Sequence, residues 1–118
     1  MEDLTEKINL DFLHSHDLGT AFVKNMLGIY EGDIRDRLEI FADNSVSALE
    51  REEIVRHVHT LGSHTRDLGF QTVHNRLVAI EDQVVHMDEE VLERELTAII
   101  TLLQKVLEQI TEELQKLS

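Results

Sequence analysis

The chain has 118 residues, and 24 Asp and Glu against 11 Lys and Arg leave a formal net charge of −13 before its seven histidines are counted. So large an excess of carboxylates argues against a nucleic-acid partner, because affinity for a phosphate backbone comes mainly from Lys and Arg displacing condensed counterions. The longest apolar runs, such as Leu77 to Ile80, fall far short of the roughly 20 residues that cross a bilayer. Met1 to Glu6 are acidic and polar rather than signal-like, and the absence of cysteine removes disulfides, thiolate metal sites and thiol nucleophiles. The expectation is a single cytoplasmic domain over residues 1–118 without membrane contact. The initiating Met1 and the closing Lys116-Leu117-Ser118 lean toward a free protein.

An apolar fraction of 42% with clear periodicity excludes disorder, and zero prolines, five glycines and one tyrosine leave few strand or tight-turn signals. The fold class is all-α. A short segment, Leu4 to His14, is expected to form a helical lid. From about Asp17 to Phe41, Val23, Leu27, Tyr30, Ile34, Leu38 and Phe41 recur every three or four residues as one helical stripe, which Asp43 and Asn44 end. Ser47 followed by Glu50 reads as a capping box that starts a second helix running to about Leu68, where Gly69 makes the turn. A third helix carries Val73, Leu77, Ile80 and Val84. Asp88 is placed to cap a fourth with Leu92, Leu96, Ile99, Leu103, Val106 and Ile110 on one face, and Glu89, Glu90, Glu93 and Glu95 belong to its solvated start. Short connections predict an antiparallel up-down-up-down four-helix bundle behind the N-terminal helical segment. The bundle itself needs the last stripe, which argues for a monomer over a coiled-coil dimer.

The second helix is the most specific. At 100° per residue, Ile54, Leu61 and Leu68 form its buried stripe with Val58 and Thr65 flanking, and His59 points away among Glu52, Arg56, Gly62, Ser63 and Arg66. Imidazole is a nucleophile near pH 7 without an adjacent base. Gly62 and Ser63 remove bulk where a partner would approach, and Arg56 and Arg66 would neutralise an incoming phosphoryl group. Three Arg against one Asp between Ile54 and Ala79 reverse the sign of an otherwise acidic chain.

The stretch Arg56-His57-Val58-His59-Thr60-Leu61-Gly62-Ser63-His64-Thr65-Arg66-Asp67-Leu68-Gly69 resembles the signature of histidine phosphotransfer (HPt) domains: His-x-Leu-Lys-Gly, a small-residue run, and a Gly ten residues after the His. His59, Leu61 and Gly69 match without a gap. Leu77 to Glu81 resembles the family's next helix, and Leu10-Asp11-Phe12-Leu13 with the Phe22 to Phe41 helix is similar to its opening segment. The resemblance implies a helical bundle whose His59 takes a phosphoryl group from a receiver-domain aspartate and passes it to another receiver. It also implies partners that are receiver domains of a hybrid histidine kinase or response regulator, with Mg²⁺ on the receiver and no cofactor on this chain. Such a chain is a phosphocarrier rather than a stand-alone enzyme. Two positions depart from the pattern: the usual Lys is Gly62 and the usual Gly is Ser63. Ser63 is small enough to leave the docking surface open. Gly62 removes a cation, a role assigned here to Arg56, and makes an adaptor that binds a receiver or kinase without chemistry the alternative reading.

The other histidines do not read as metal ligands. His57 and His64 lie about two turns, or 10 Å, apart on one helix, no Glu-x-x-His occurs, and both are expected to bond to a neighbouring helix at the core boundary. Phe22, Met26 and Ile29 form a second apolar stripe, either core beneath the N-terminal segment or part of a docking surface beside His59. There is no Gly-rich phosphate loop, no paired catalytic carboxylates and no Ser nucleophile with a base.

Overall fold

Residues 3–118 are described by the computed structural model; Met1 and Glu2, and with them the reading of Met1 as the start of a free protein, lie outside the described residues. Among the described residues five α-helices follow one another: α1 (Asp11–His14), α2 (Thr20–Asp43), α3 (Arg51–Asp67), α4 (Gln71–Gln83) and α5 (Glu89–Leu117), with 3₁₀ turns at Val46–Ala48 and Val84–His86. The four long ones form an antiparallel bundle measuring 45 × 24 × 23 Å. Its long dimension matches the 29 residues of α5, which at 1.5 Å each extend about 44 Å.

Cross-helix contacts give the direction of each neighbour. Tyr30 meets Asp67, Asp33 meets His64 and Arg37 meets His57, so α2 and α3 run in opposite senses. His59 meets Glu81 and Gly62 meets His74, so α4 runs back along α3. Arg76 pairs with Glu95 at 3.6 Å, and Thr111 donates to Glu31, closing the ring through α5. The stripes read from the sequence are the core: Val23, Leu27, Ile34, Ile54, Val58, Leu61, Val73, Leu77, Leu92, Leu103, Val106 and Ile110 are fully shielded from solvent. Phe70 and Leu68 join them beneath the α3–α4 turn.

The turn explains Gly69. Its φ is +83°, a left-handed conformation that side chains disfavour, and a Cβ there would lie 2.7 Å from the Cβ of Asn9. The chain approaches that closely because residues 3–10, which have no regular secondary structure, lie across the turn as a strap. Asn9 donates its N–H to the Leu68 carbonyl (2.8 Å), the Glu6 carboxylate accepts the N–H of Thr72 in the first turn of α4 (2.9 Å), and Gln109 of α5 binds both Ile8 N–H and Glu6 C=O. The Glu6 carboxylate therefore sits at the positive end of the α4 dipole.

The strap corrects the expectation of a helical lid over Leu4 to His14, since only Asp11–His14 is helical and the rest spends its backbone groups on α3, α4 and α5. The first long helix begins at Thr20 instead of Asp17, because Asp17 (φ +55°) and Gly19 (φ +88°) turn the chain. The Ser47/Glu50 capping box does not form. Val46–Ala48 takes a 3₁₀ turn in which Ser47 faces Ser45, and α3 starts at Arg51 with Glu50 as an N-cap that makes no side-chain bond. Asp88 does occupy the N-cap of α5, also without a side-chain bond. Val84 is buried as expected but lies just past α4. There the Arg51 guanidinium donates to the Val84 and Met87 carbonyls and satisfies the end of the helix. Among the described residues no helix is long and apolar enough to cross a membrane.

Candidate functional site

His59 lies midway along α3 on the side opposite Ile54 and Leu61, with 66% of its side chain exposed. Its Nδ1 is 3.1 Å from both carboxylate oxygens of Glu81, a residue of α4 that is 28% exposed. A carboxylate accepts, so the proton of the neutral ring sits on Nδ1 and the Nε2 lone pair is left free. The pairing follows from the hairpin: His59 and Glu81 each lie eleven residues from Phe70, at the turn, and in two antiparallel helices joined by a short loop such positions stand opposite each other.

An open cavity of about 380 Å³ adjoins His59, with Arg56, Thr60 and Arg37 on its walls. Arg56 is exposed, one turn before His59. Arg66 is exposed too, but its guanidinium lies 3.4 Å from the Asp67 carboxylate. With Glu81 at His59 and Arg76 paired to Glu95, the site is less positive than the count of three Arg to one Asp suggests. Ser63 is half-buried, and its hydroxyl donates back to the His59 carbonyl at 3.3 Å, so it adds no bulk.

Gly62 departs from its expected place. It is buried, because three residues beyond His59 the helix has turned toward α4, whose Leu77 Cβ and His74 Nδ1 would lie 3.7 and 3.8 Å from a Cβ at this position. His74 Nδ1 donates to the Gly62 carbonyl at 2.8 Å. Glu81 is the site residue that sequence reasoning missed. Reading the α3–α4 hairpin about its turn would have placed it.

Of the second stripe on α2, Phe22 and Met26 are half-buried against the core and Ile29 is exposed. The α2–α3 register puts residue 36 level with His59, so Ile29 is about 10 Å and Phe22 about 21 Å away along the axis. Phe22 packs instead on His16, whose ring meets Phe12 edge-on.

His57 and His64, 13% and 15% exposed, bond to α2 as expected for the core boundary. Arg37 donates to His57 Nδ1 at 2.7 Å, which makes that ring a neutral acceptor. Burial, then the Arg37 guanidinium, holds its pKa below the ordinary histidine value. His64 Nε2 is 2.7 Å from Asp33, and its ring lies against Tyr30 with centroids 4.7 Å apart. Burial alone would raise the Asp33 pKa, but hydrogen bonds from Arg37 and His64 outweigh it and lower the value. Burial and the Asp67 carboxylate push the Tyr30 phenol up to about 12. These contacts form a polar seam between α2 and α3, and among the described residues no three His, Asp or Glu side chains converge on a metal position.

No family model matches the chain, and no curated protein or solved structure does either.

Proposed function

We propose that the chain is a histidine phosphotransfer protein of a multistep two-component phosphorelay, with His59 as the phosphoryl acceptor. The observation that carries this reading is the exposed imidazole of His59 with Nδ1 held by Glu81 on the outward face of α3. In the transfer, the Nε2 lone pair attacks phosphorus of a receiver's aspartyl phosphate. The N–P bond forms as the acyl P–O bond breaks, and the receiver carboxylate leaves with that electron pair. The ring becomes a phosphoimidazolium that keeps its Nδ1 proton against the Glu81 carboxylate, which offsets the new positive charge. Transfer to a second receiver reverses these steps. The receiver brings Mg²⁺, and Arg56 offers a cation on the N-terminal side of the phosphoryl group.

An adaptor that binds a receiver without chemistry is the second reading, and it is favoured by the loss at Gly62 of the family's Lys. Incubation with a hybrid kinase, or a phosphorylated receiver, and radiolabelled ATP separates the two. Acid-labile, base-stable label that disappears in His59→Gln supports the phosphocarrier; receiver binding with no label supports the adaptor.

A further inference from the structure

The hydrogen bond that fixes the His59 ring also fixes the direction from which a phosphoryl donor reaches it. Nδ1 faces the Glu81 carboxylate of α4 at 3.1 Å, and the two ring nitrogens, separated by one carbon, point to nearly opposite sides of the imidazole. The Nε2 lone pair is therefore turned away from α4. Phosphoryl transfer places the attacking atom, phosphorus and the leaving oxygen roughly in line, so the departing carboxylate lies farther from α4 than Nε2 does. On that side lies the cavity of about 380 Å³, whose walls include Arg56, His57 and Thr60 of α3 and Arg37 of α2. The charges are distributed in the same sense. Arg56 and Arg37 stand on the cavity, Arg37 with Asp33 as its partner, whereas α4 presents to His59 the carboxylate of Glu81 followed by exposed Asp82. An acyl phosphate, with negative charge on its phosphoryl oxygens, meets cations on the α2 side and carboxylates on the α4 side.

We infer that the receiver docks over the α2–α3 face of the bundle, its aspartyl phosphate entering the cavity beside His59 from the side of α2, with α4 at the margin of the interface. This rests on His59 being the acceptor with its proton on Nδ1. A protein interface of ordinary size covers about 800 Å² on each partner, so the direction of approach decides which neighbours of His59 lie near its centre, where binding energy concentrates. Asp36 and Asp82 mark the two sides. The contacts between α2 and α3 put Asp36 level with His59, and the His59–Glu81 pair puts Asp82 within one residue of that level on α4. Both are exposed, and neither belongs to the reacting groups.

The test gives both positions the same change. Asp36→Trp and Asp82→Trp remove the same charge and add the same bulk, and each full chain is measured for kcat and KM of transfer from a phosphorylated receiver and for its urea unfolding midpoint. Asp36→Trp is expected to raise KM about tenfold, the loss of one central contact, and Asp82→Trp by less than about twofold, as at an interface rim, with both midpoints unchanged. Amide NMR shifts of the ¹⁵N-labelled parent chain on addition of the unphosphorylated receiver with Mg²⁺ map the footprint without any substitution. They are expected to be largest over residues 32–40 of α2 and 52–63 of α3, and smaller over 78–85. Label on His59 with KM raised as much by Asp82→Trp as by Asp36→Trp, or raised by neither, or with shifts centred on α4, overturns the docking face while leaving the acceptor intact. Failure of any receiver to label His59 removes the acceptor and this inference together.

Discussion

Two glycines ten and three residues after His59 meet opposite surroundings, and substituting each by alanine should move stability in opposite directions. At Gly69 the left-handed backbone costs a side chain about 1–2 kcal/mol. The new Cβ, 2.7 Å from Asn9 Cβ, also pushes the strap away and takes with it the bond from Asn9 N–H to the Leu68 carbonyl, worth about 1 kcal/mol. Together Gly69→Ala should cost about 2–3 kcal/mol. At Gly62 the backbone is helical and the Cβ finds ordinary contacts of 3.7 and 3.8 Å, so the substitution should recover most of the helix propensity that glycine forfeits, about 0.5–1 kcal/mol. Urea unfolding of the three proteins, read as shifts of midpoint at constant m-value, should separate the two variants by about 3 kcal/mol from those combined terms. A Gly69→Ala variant within about 0.5 kcal/mol of the parent, the scatter of neutral surface changes, would mean that the strap is not seated on the turn. A Gly62→Ala variant destabilised by more than about 1 kcal/mol, as overpacking produces, would mean that α4 lies closer to α3 than described.

Other consequences follow from the charged residues. His57 is held neutral in the fold by burial and Arg37, so its contribution to stability is present above the unfolded histidine value, about 6.5, and is lost as pH falls below it. In His57→Gln the stability lost between about pH 6.5 and 5 should shrink, as followed by urea midpoints at each pH. Asp33, lowered by Arg37 and His64 against the effect of its burial, adds a loss of the same sign at lower pH. Tyr30 is the one tyrosine, so phenolate absorbance isolates it. The native protein should titrate about two pH units above the unfolded chain, near 12, and a midpoint near 10 would mean that the phenol is neither buried nor bonded to Asp67 as described. Glu81→Gln keeps an acceptor for His59 Nδ1 but loses the charge that offsets the imidazolium. Phosphoryl uptake by rapid quench should slow about tenfold, equivalent to about 1.4 kcal/mol, without a change in the unfolding midpoint.

The bundle was legible because its helices bury stripes at regular spacing: Leu92 through Ile110 and Val23 through Leu38 are where periodicity places them. What the stripes do not encode is how a polar segment spends its backbone groups. Residues 3–10 contain Leu4 and Ile8 four apart, as on one helical face, yet Gln109, Leu68 and Thr72 hold the chain as a strap through hydrogen bonds between residues as many as 103 apart. The Ser47/Glu50 box is a local signal overridden by a 3₁₀ turn. At the site, the outward orientation of His59 was readable from 100° geometry. The inward turn of Gly62 was not, because a residue 60° from His59 belongs to solvent or to a neighbour according to how closely that neighbour packs.

The most direct test of the account is heteronuclear NMR of the chain with ¹⁵N-labelled histidine rings, before and after reaction with a phosphorylated receiver. The account predicts that neutral His59 carries its proton on Nδ1, opposite Glu81, and that after reaction phosphorus couples to Nε2 of the same ring. A proton on Nε2 in the resting protein, or phosphorus on another residue or on none while the receiver still binds, would contradict it.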